Sequence, residues 1–166
     1  MRVDNDSQSP ASAIFMQPVS NRMRDSPRTD GYWIYALMAH SNDNQRKACY
    51  IGQTCNIKRR FREHLRHRIG RGSSPLFEWA AYEGVEVNAI VLAWVDGDQS
   101  RASHFEGYWL RLAVEAGFDT PNVHNWGRLP QPSVLAGQPA RWPIVEILAA
   151  SLPLIELGGN VKLTRS

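Results

Sequence analysis

Two short runs, YWIYALM at 32–38 and KACYIG at 47–52, are dense in aromatic and other β-favouring side chains, and a polar loop at 39–45 separates them. Such runs read as strands and the polar connection as a hairpin loop, with Gly52 ending the second strand. Directly after the hairpin, Asn56 is placed to cap a helix, along which Ile57, Phe61, Leu65 and Ile69 keep to one face. Gly70 and Gly72 stop that helix; a second follows over about 74–82 on Leu76, Phe77 and Ala81, closed by Gly84. The run VEVNAIVLAWV at 85–95 alternates and then becomes continuously apolar, the mark of a third strand buried at its end. After a turn at Asp96, Gly97 and Asp98, residues 99–116 predict a long helix with Phe105, Trp109, Leu112 and Ala116 on its apolar face.

The order β-β-α-α-β-α predicts an α/β (α+β) domain over 30–127, a small, mostly antiparallel three-stranded sheet flanked by helices. Residues 1–29, polar and without periodicity, read as a largely disordered tail. Residues 128–166 read as a Pro-rich extension with one helix at 143–151, opened by Pro143. The stretch 142–157 carries few charges, so it either caps the core or makes a homodimer contact. A chain of 166 residues buries about two-thirds of its unfolded surface and needs no disulfide or metal to fold. No apolar run is long enough to span a membrane, and the N-terminal stretch lacks the charged-then-apolar order of a signal peptide, which points to a cytoplasmic protein with no membrane partner. Cys49 and Cys55 have no Cys or His pair at zinc-finger spacing and read as two reduced thiols.

Charge distribution says more than the net value of +3. Lys58, Arg59, Arg60, Arg62, Arg66, Arg68 and Arg71 face a single acid, Glu63, so that segment carries +6 and the rest of the chain −3. Positive charge concentrated on one short element is a footprint for phosphate.

The remaining signal is a constellation. Trp33, Ile34 and Tyr35 are followed by Tyr50, Ile51 and Gly52, which open the pattern YIGQTxNIxxRxxxH; a later helix carries Glu106 within ASHFEGYWL, and an Asn follows Pro121. Over roughly 31–126 this resembles the GIY-YIG nuclease family, which includes homing endonucleases, restriction enzymes and the nuclease subunit of bacterial nucleotide-excision repair. The resemblance implies an endonuclease that hydrolyses DNA phosphodiester bonds with Mg²⁺, Mn²⁺ substituting. It implies that Tyr35 and Tyr50 are the tyrosines of the two name-giving motifs, Arg60 the catalytic arginine, His64 a supporting histidine and Glu106 the metal-binding glutamate. Asn122 takes the place of the late asparagine, with Asn125 its competitor; Lys58, Arg59, Arg62, Arg66, Arg68 and Arg71 would track the DNA backbone. The chain departs from the pattern in Trp33, which stands for the first glycine, in a longer hairpin loop, and in the PNVHNW context of the late asparagine.

Chemistry argues in the same direction. One carboxylate suits Mg²⁺, which keeps most of its waters and binds through one or two protein carboxylates. Arg60 offers a permanently charged fork of donors to phosphate oxygens. Tyr50 takes a proton from water only if its pKa falls well below about 10, and a nearby cation, Arg60 or the metal, pushes it that way. Taken singly, each residue has a plainer reading: strand tyrosines pack, helix glutamates such as Glu115 are solvated, and arginine runs are exposed faces. The ordered set of positions favours catalysis over two other readings, a nucleic-acid-binding module without catalysis and a sequence-specific restriction endonuclease.

Overall fold

The computed structural model describes residues 30–43, 45–66, 72–121 and 131–159; the stretch 1–29, expected to be a tail, lies outside them. The elements are β1 (Gly31–His40), β2 (Lys47–Thr54), α1 (Ile57–Arg66), α2 (Ser74–Glu83), β3 (Asn88–Asp96), α3 (Gln99–Glu115), α4 (Ile144–Ala150), β4 (Leu152–Pro153) and α5 (Leu154–Gly158). The first six follow the order that the sequence predicts, and the sheet is antiparallel with helices packed against it.

β1 is the central strand of the ladder, paired with β2 on one side and β3 on the other. Every residue from Trp33 to Ala39 and from Ala89 to Val95 is buried, which is why alternation vanishes from both runs. The alternating residues Val85, Glu86 and Val87 stay outside β3 because the β1 ladder ends at the Met38–Asn88 pair. The carbonyl of Val87 accepts from the Leu154 N–H instead.

The sheet has four strands where three were expected. β4 comes from the extension and pairs only with Asn88 and Ala89. Two residues show no period, and Pro153, which lacks an N–H, is tolerated because the strand lies at the edge. The extension caps the core. Trp142 is buried with its ring centroid 5.9 Å from Trp109 and 5.0 Å from Phe118. Gln138 Oε1 accepts from the indole N–H of Trp109 at 3.2 Å. Ile147 and Leu154 are buried, while Val145 and Ile155 are exposed. α5 lies against α1 so closely that a Cβ on Gly158 would stand 2.7 Å from Leu65 Cδ1 and 2.9 Å from the Phe61 backbone.

Local chemistry sets the helix ends. Asn56 Oδ1 accepts from the Arg59 N–H at 3.0 Å and so caps α1, and Thr54 Oγ1 accepts from the Asn56 N–H at 3.1 Å. Asp98, read as a turn residue, also caps α3 by accepting from the Arg101 N–H at 3.0 Å. Gly84 closes α2 in the left-handed region at φ 69°. Among the described residues no helix is long and apolar enough to cross a membrane.

Candidate active site

The antiparallel register sets Tyr35 opposite Gly52 and Tyr50 opposite Leu37, so the two phenols leave the same face of the sheet. Gly52 is a steric requirement: a Cβ there would lie 2.5 Å from the Tyr35 hydroxyl. Its absence lets Tyr35 lie across β2, with ring centroids 6.3 Å from Tyr50 and 5.5 Å from Phe61. α1 supplies the third group. His64 is buried, one turn beyond Arg60.

His64 Nε2 lies 2.7 Å from the Tyr35 hydroxyl and His64 Nδ1 lies 2.7 Å from Ser73 Oγ. Tyr35 also faces Tyr50 across the two strands, placed to act as a donor that favours ionisation of Tyr50. A phenol has one proton. For Tyr35 to donate to Tyr50, its oxygen must receive the Nε2–H of His64, which leaves Nδ1 to accept from the Ser73 hydroxyl. With that tautomer, a chain of donors from Ser73 through His64 and Tyr35 ends at the Tyr50 oxygen.

A second cluster joins β2 to α3. Gln53 Nε2 donates to Glu106 Oε2 at 2.7 Å and to Ser103 Oγ at 2.9 Å. Glu106 is buried, and burial raises its pKa to about 7 against the lowering effect of the Gln53 hydrogen bond. Glu115 on the same helix forms an exposed pair with Arg111 at 3.2 Å. Glu106 forms no ion pair among the described residues.

Arg60 stands between these clusters electrostatically, lowering the pKa of both tyrosines while Glu106 raises it. Its terminal nitrogen meets Glu63 at 3.2 Å, a half-exposed contact worth at most about 1 kcal/mol. Its Nε–H is buried without a partner. Burial keeps Tyr35 well above the ordinary phenol value. Tyr50 is raised too, by burial first and Glu106 second, against Arg60 and the Tyr35 hydroxyl. Arg60 thus acts on Tyr50 in the direction the sequence reading gives it, but burial and Glu106 together outweigh it and the net shift is upward.

The structure brings Tyr35, Tyr50 and His64 into contact and sets Arg60 and Glu106 within electrostatic reach of both phenols. Lys58, Arg59, Arg62 and Arg66 are exposed on α1. Arg68, Arg71, Asn122 and Asn125 lie outside the described residues. Sequence reasoning missed Gln53, Ser73 and Ser103 as members of the site. Gln53 follows Gly52 inside the pattern, Ser103 precedes Glu106 by one helical turn, and Ser73 carries no sequence signal.

No group of three or more His, Cys, Asp or Glu side chains suited to a metal occurs among the described residues. A single buried carboxylate does fit a hard cation that brings its own waters.

The family model described as the GIY-YIG catalytic domain matches residues 31–115. No curated protein and no solved structure matches the chain.

Proposed function

The chain belongs to the GIY-YIG catalytic-domain family, and on that premise we propose that it is a cytoplasmic, divalent-metal-dependent endonuclease that hydrolyses DNA phosphodiester bonds. The observation that carries this reading is the buried Glu106 carboxylate, without a cationic partner among the described residues and acting on the same two phenols as Arg60. A buried acid lacking a counter-charge is costly, and a cation offsets that cost.

Glu106 is the anchor for Mg²⁺ or Mn²⁺. A divalent ion held by Glu106 would supply positive charge beside Tyr50 and Lewis-acid polarisation of a phosphate. The protein's own groups do the rest. Arg60 exchanges its weak contact with Glu63 for phosphate oxygens, and its unpartnered Nε–H becomes a second donor to them. Tyr50, as the phenolate, takes the proton of the attacking water, and Tyr35 donates to that phenolate with His64 and Ser73 behind it. Lys58, Arg59, Arg62 and Arg66 hold the DNA backbone, which gives salt-dependent, largely sequence-neutral affinity.

The test is cleavage of plasmid, single-stranded and branched DNA in Mg²⁺ and in EDTA, beside Glu106→Gln and Arg60→Ala. Cutting in Mg²⁺ alone, lost by at least 100-fold in both variants while their circular dichroism is unchanged, is the expected result. Binding without cutting by the native chain identifies a non-catalytic nucleic-acid-binding module. Discrete plasmid fragments identify a restriction-type enzyme.

A further inference from the structure

Gln53 leaves one of its polar atoms unused. Its amide N–H groups are taken by Glu106 Oε2 and Ser103 Oγ, but its carbonyl Oε1 is buried without a hydrogen-bond partner. A buried acceptor left unpaired costs about 1–3 kcal/mol. Turning the amide over gives no relief, because it would leave the NH₂ group as the buried atom without a partner in place of the carbonyl. The orphaned atom therefore awaits a donor, and its neighbour narrows the choice. Beside the Glu106 carboxylate, a phosphate would be an acceptor facing acceptors. A water polarised by a cation is a donor, and it comes with the positive charge that Glu106 lacks.

We propose that Gln53 is a positioning residue of the cation site: its N–H fixes one Glu106 oxygen, and its Oε1 receives a hydrogen bond from the hydration shell of the bound divalent ion. This rests on the reading of Glu106 as the cation's anchor. It divides the two orphaned buried atoms of the site between two ligands, the Gln53 acceptor going to the hydrated cation and the Arg60 Nε donor to the phosphate. Outer groups that orient a metal ligand in this way are worth about 10–100-fold in metal affinity.

Mn²⁺ binding without DNA, followed by water-proton relaxation at pH 8, tests the proposal in the native chain, Gln53→Ala, Gln53→Glu and Glu106→Gln, with thermal unfolding of each as the folding control. Gln53→Ala is expected to bind Mn²⁺ at least tenfold more weakly. Gln53→Glu, which keeps an acceptor in place, is expected to bind at least as tightly as the native chain. Native-like affinity in Gln53→Ala, with binding lost in Glu106→Gln, overturns the role of Gln53 and leaves the cation site standing. Binding by Gln53→Glu as weak as that of Gln53→Ala overturns the role of Oε1. Undetectable Mn²⁺ binding by the native chain, or undiminished binding by Glu106→Gln, overturns the cation site itself and this inference with it.

Discussion

Glu106 and Glu115 ride on the same helix, and their surroundings separate them. Glu115 is exposed beside Arg111. Glu106 is buried with one neutral donor, and burial lifts its pKa to about 7. The sign of the consequence follows from linkage. Unfolded, the carboxyl titrates near 4.3; folded, near 7. Between these values the unfolded state releases the proton more readily, so the contribution of Glu106 to stability is complete below about pH 4 and lost as pH rises through 7. In EDTA, the native chain should lose up to about 2–3 kcal/mol relative to Glu106→Gln between pH 4.5 and 8, as read from urea unfolding. Saturating Mg²⁺ should restore much of that difference to the native chain and leave the variant unmoved. Identical pH profiles for the two proteins in EDTA would show that the carboxylate is solvated.

α1 carries two functions on one element. Its inward side sets Ile57, Phe61 and His64 into the core, while Lys58, Arg59, Arg62 and Arg66 stand in solvent. Exposed cations contribute through release of counterions from DNA, at a slope of about 0.9 per phosphate contact. The double variant Lys58→Ala/Arg62→Ala, titrated with duplex DNA in EDTA across a salt series, should therefore lose up to about 1.8 in that slope. Cutting at saturating DNA should change little, since neither residue reaches the phenols. An unchanged slope would place the DNA path off this helix. This element was readable in the sequence because its determinants are local: the Asn56 cap, the Ile57–Phe61 spacing and the cation run lie within a few turns. The Gln53–Glu106 contact was not readable, since it joins β2 to α3 and depends on how closely the helix approaches the sheet. Ser73 reaches His64 from the turn before α2, where small polar residues are unremarkable. The direction of the Tyr50 shift was hidden for a related reason: it depends on how far burial outweighs Arg60, and burial is set by the whole packed sheet.

At the scale of the molecule, the extension turns out to support the site from behind. Trp142 fills the space beside Trp109 and Phe118, and α5 presses Gly158 onto the backbone of α1 at Phe61. Phe61 packs edge-on against Tyr35, and Arg60 and His64 flank it on the same helix. Two substitutions separate stability from this mechanical link. Trp142→Ala removes an indole that packs on Trp109 and Phe118 and should cost about 3–5 kcal/mol of unfolding free energy, with cutting per folded molecule reduced less than in the second variant. Gly158→Val forces a Cβ into a space 2.7 Å from Leu65 Cδ1 and 2.9 Å from the Phe61 backbone. Such overpacking costs about 1–3 kcal/mol, less than the tryptophan deletion, yet it should reduce cutting the more severely, by tenfold or greater, because α1 yields and takes Arg60 and His64 with it. Cleavage rates measured well below both melting temperatures decide the matter. If the tryptophan variant is the slower enzyme, or if Gly158→Val cuts as fast as the native chain, α5 is only a cover for the core, and α1 holds its place by the Asn56 cap and its own buried face.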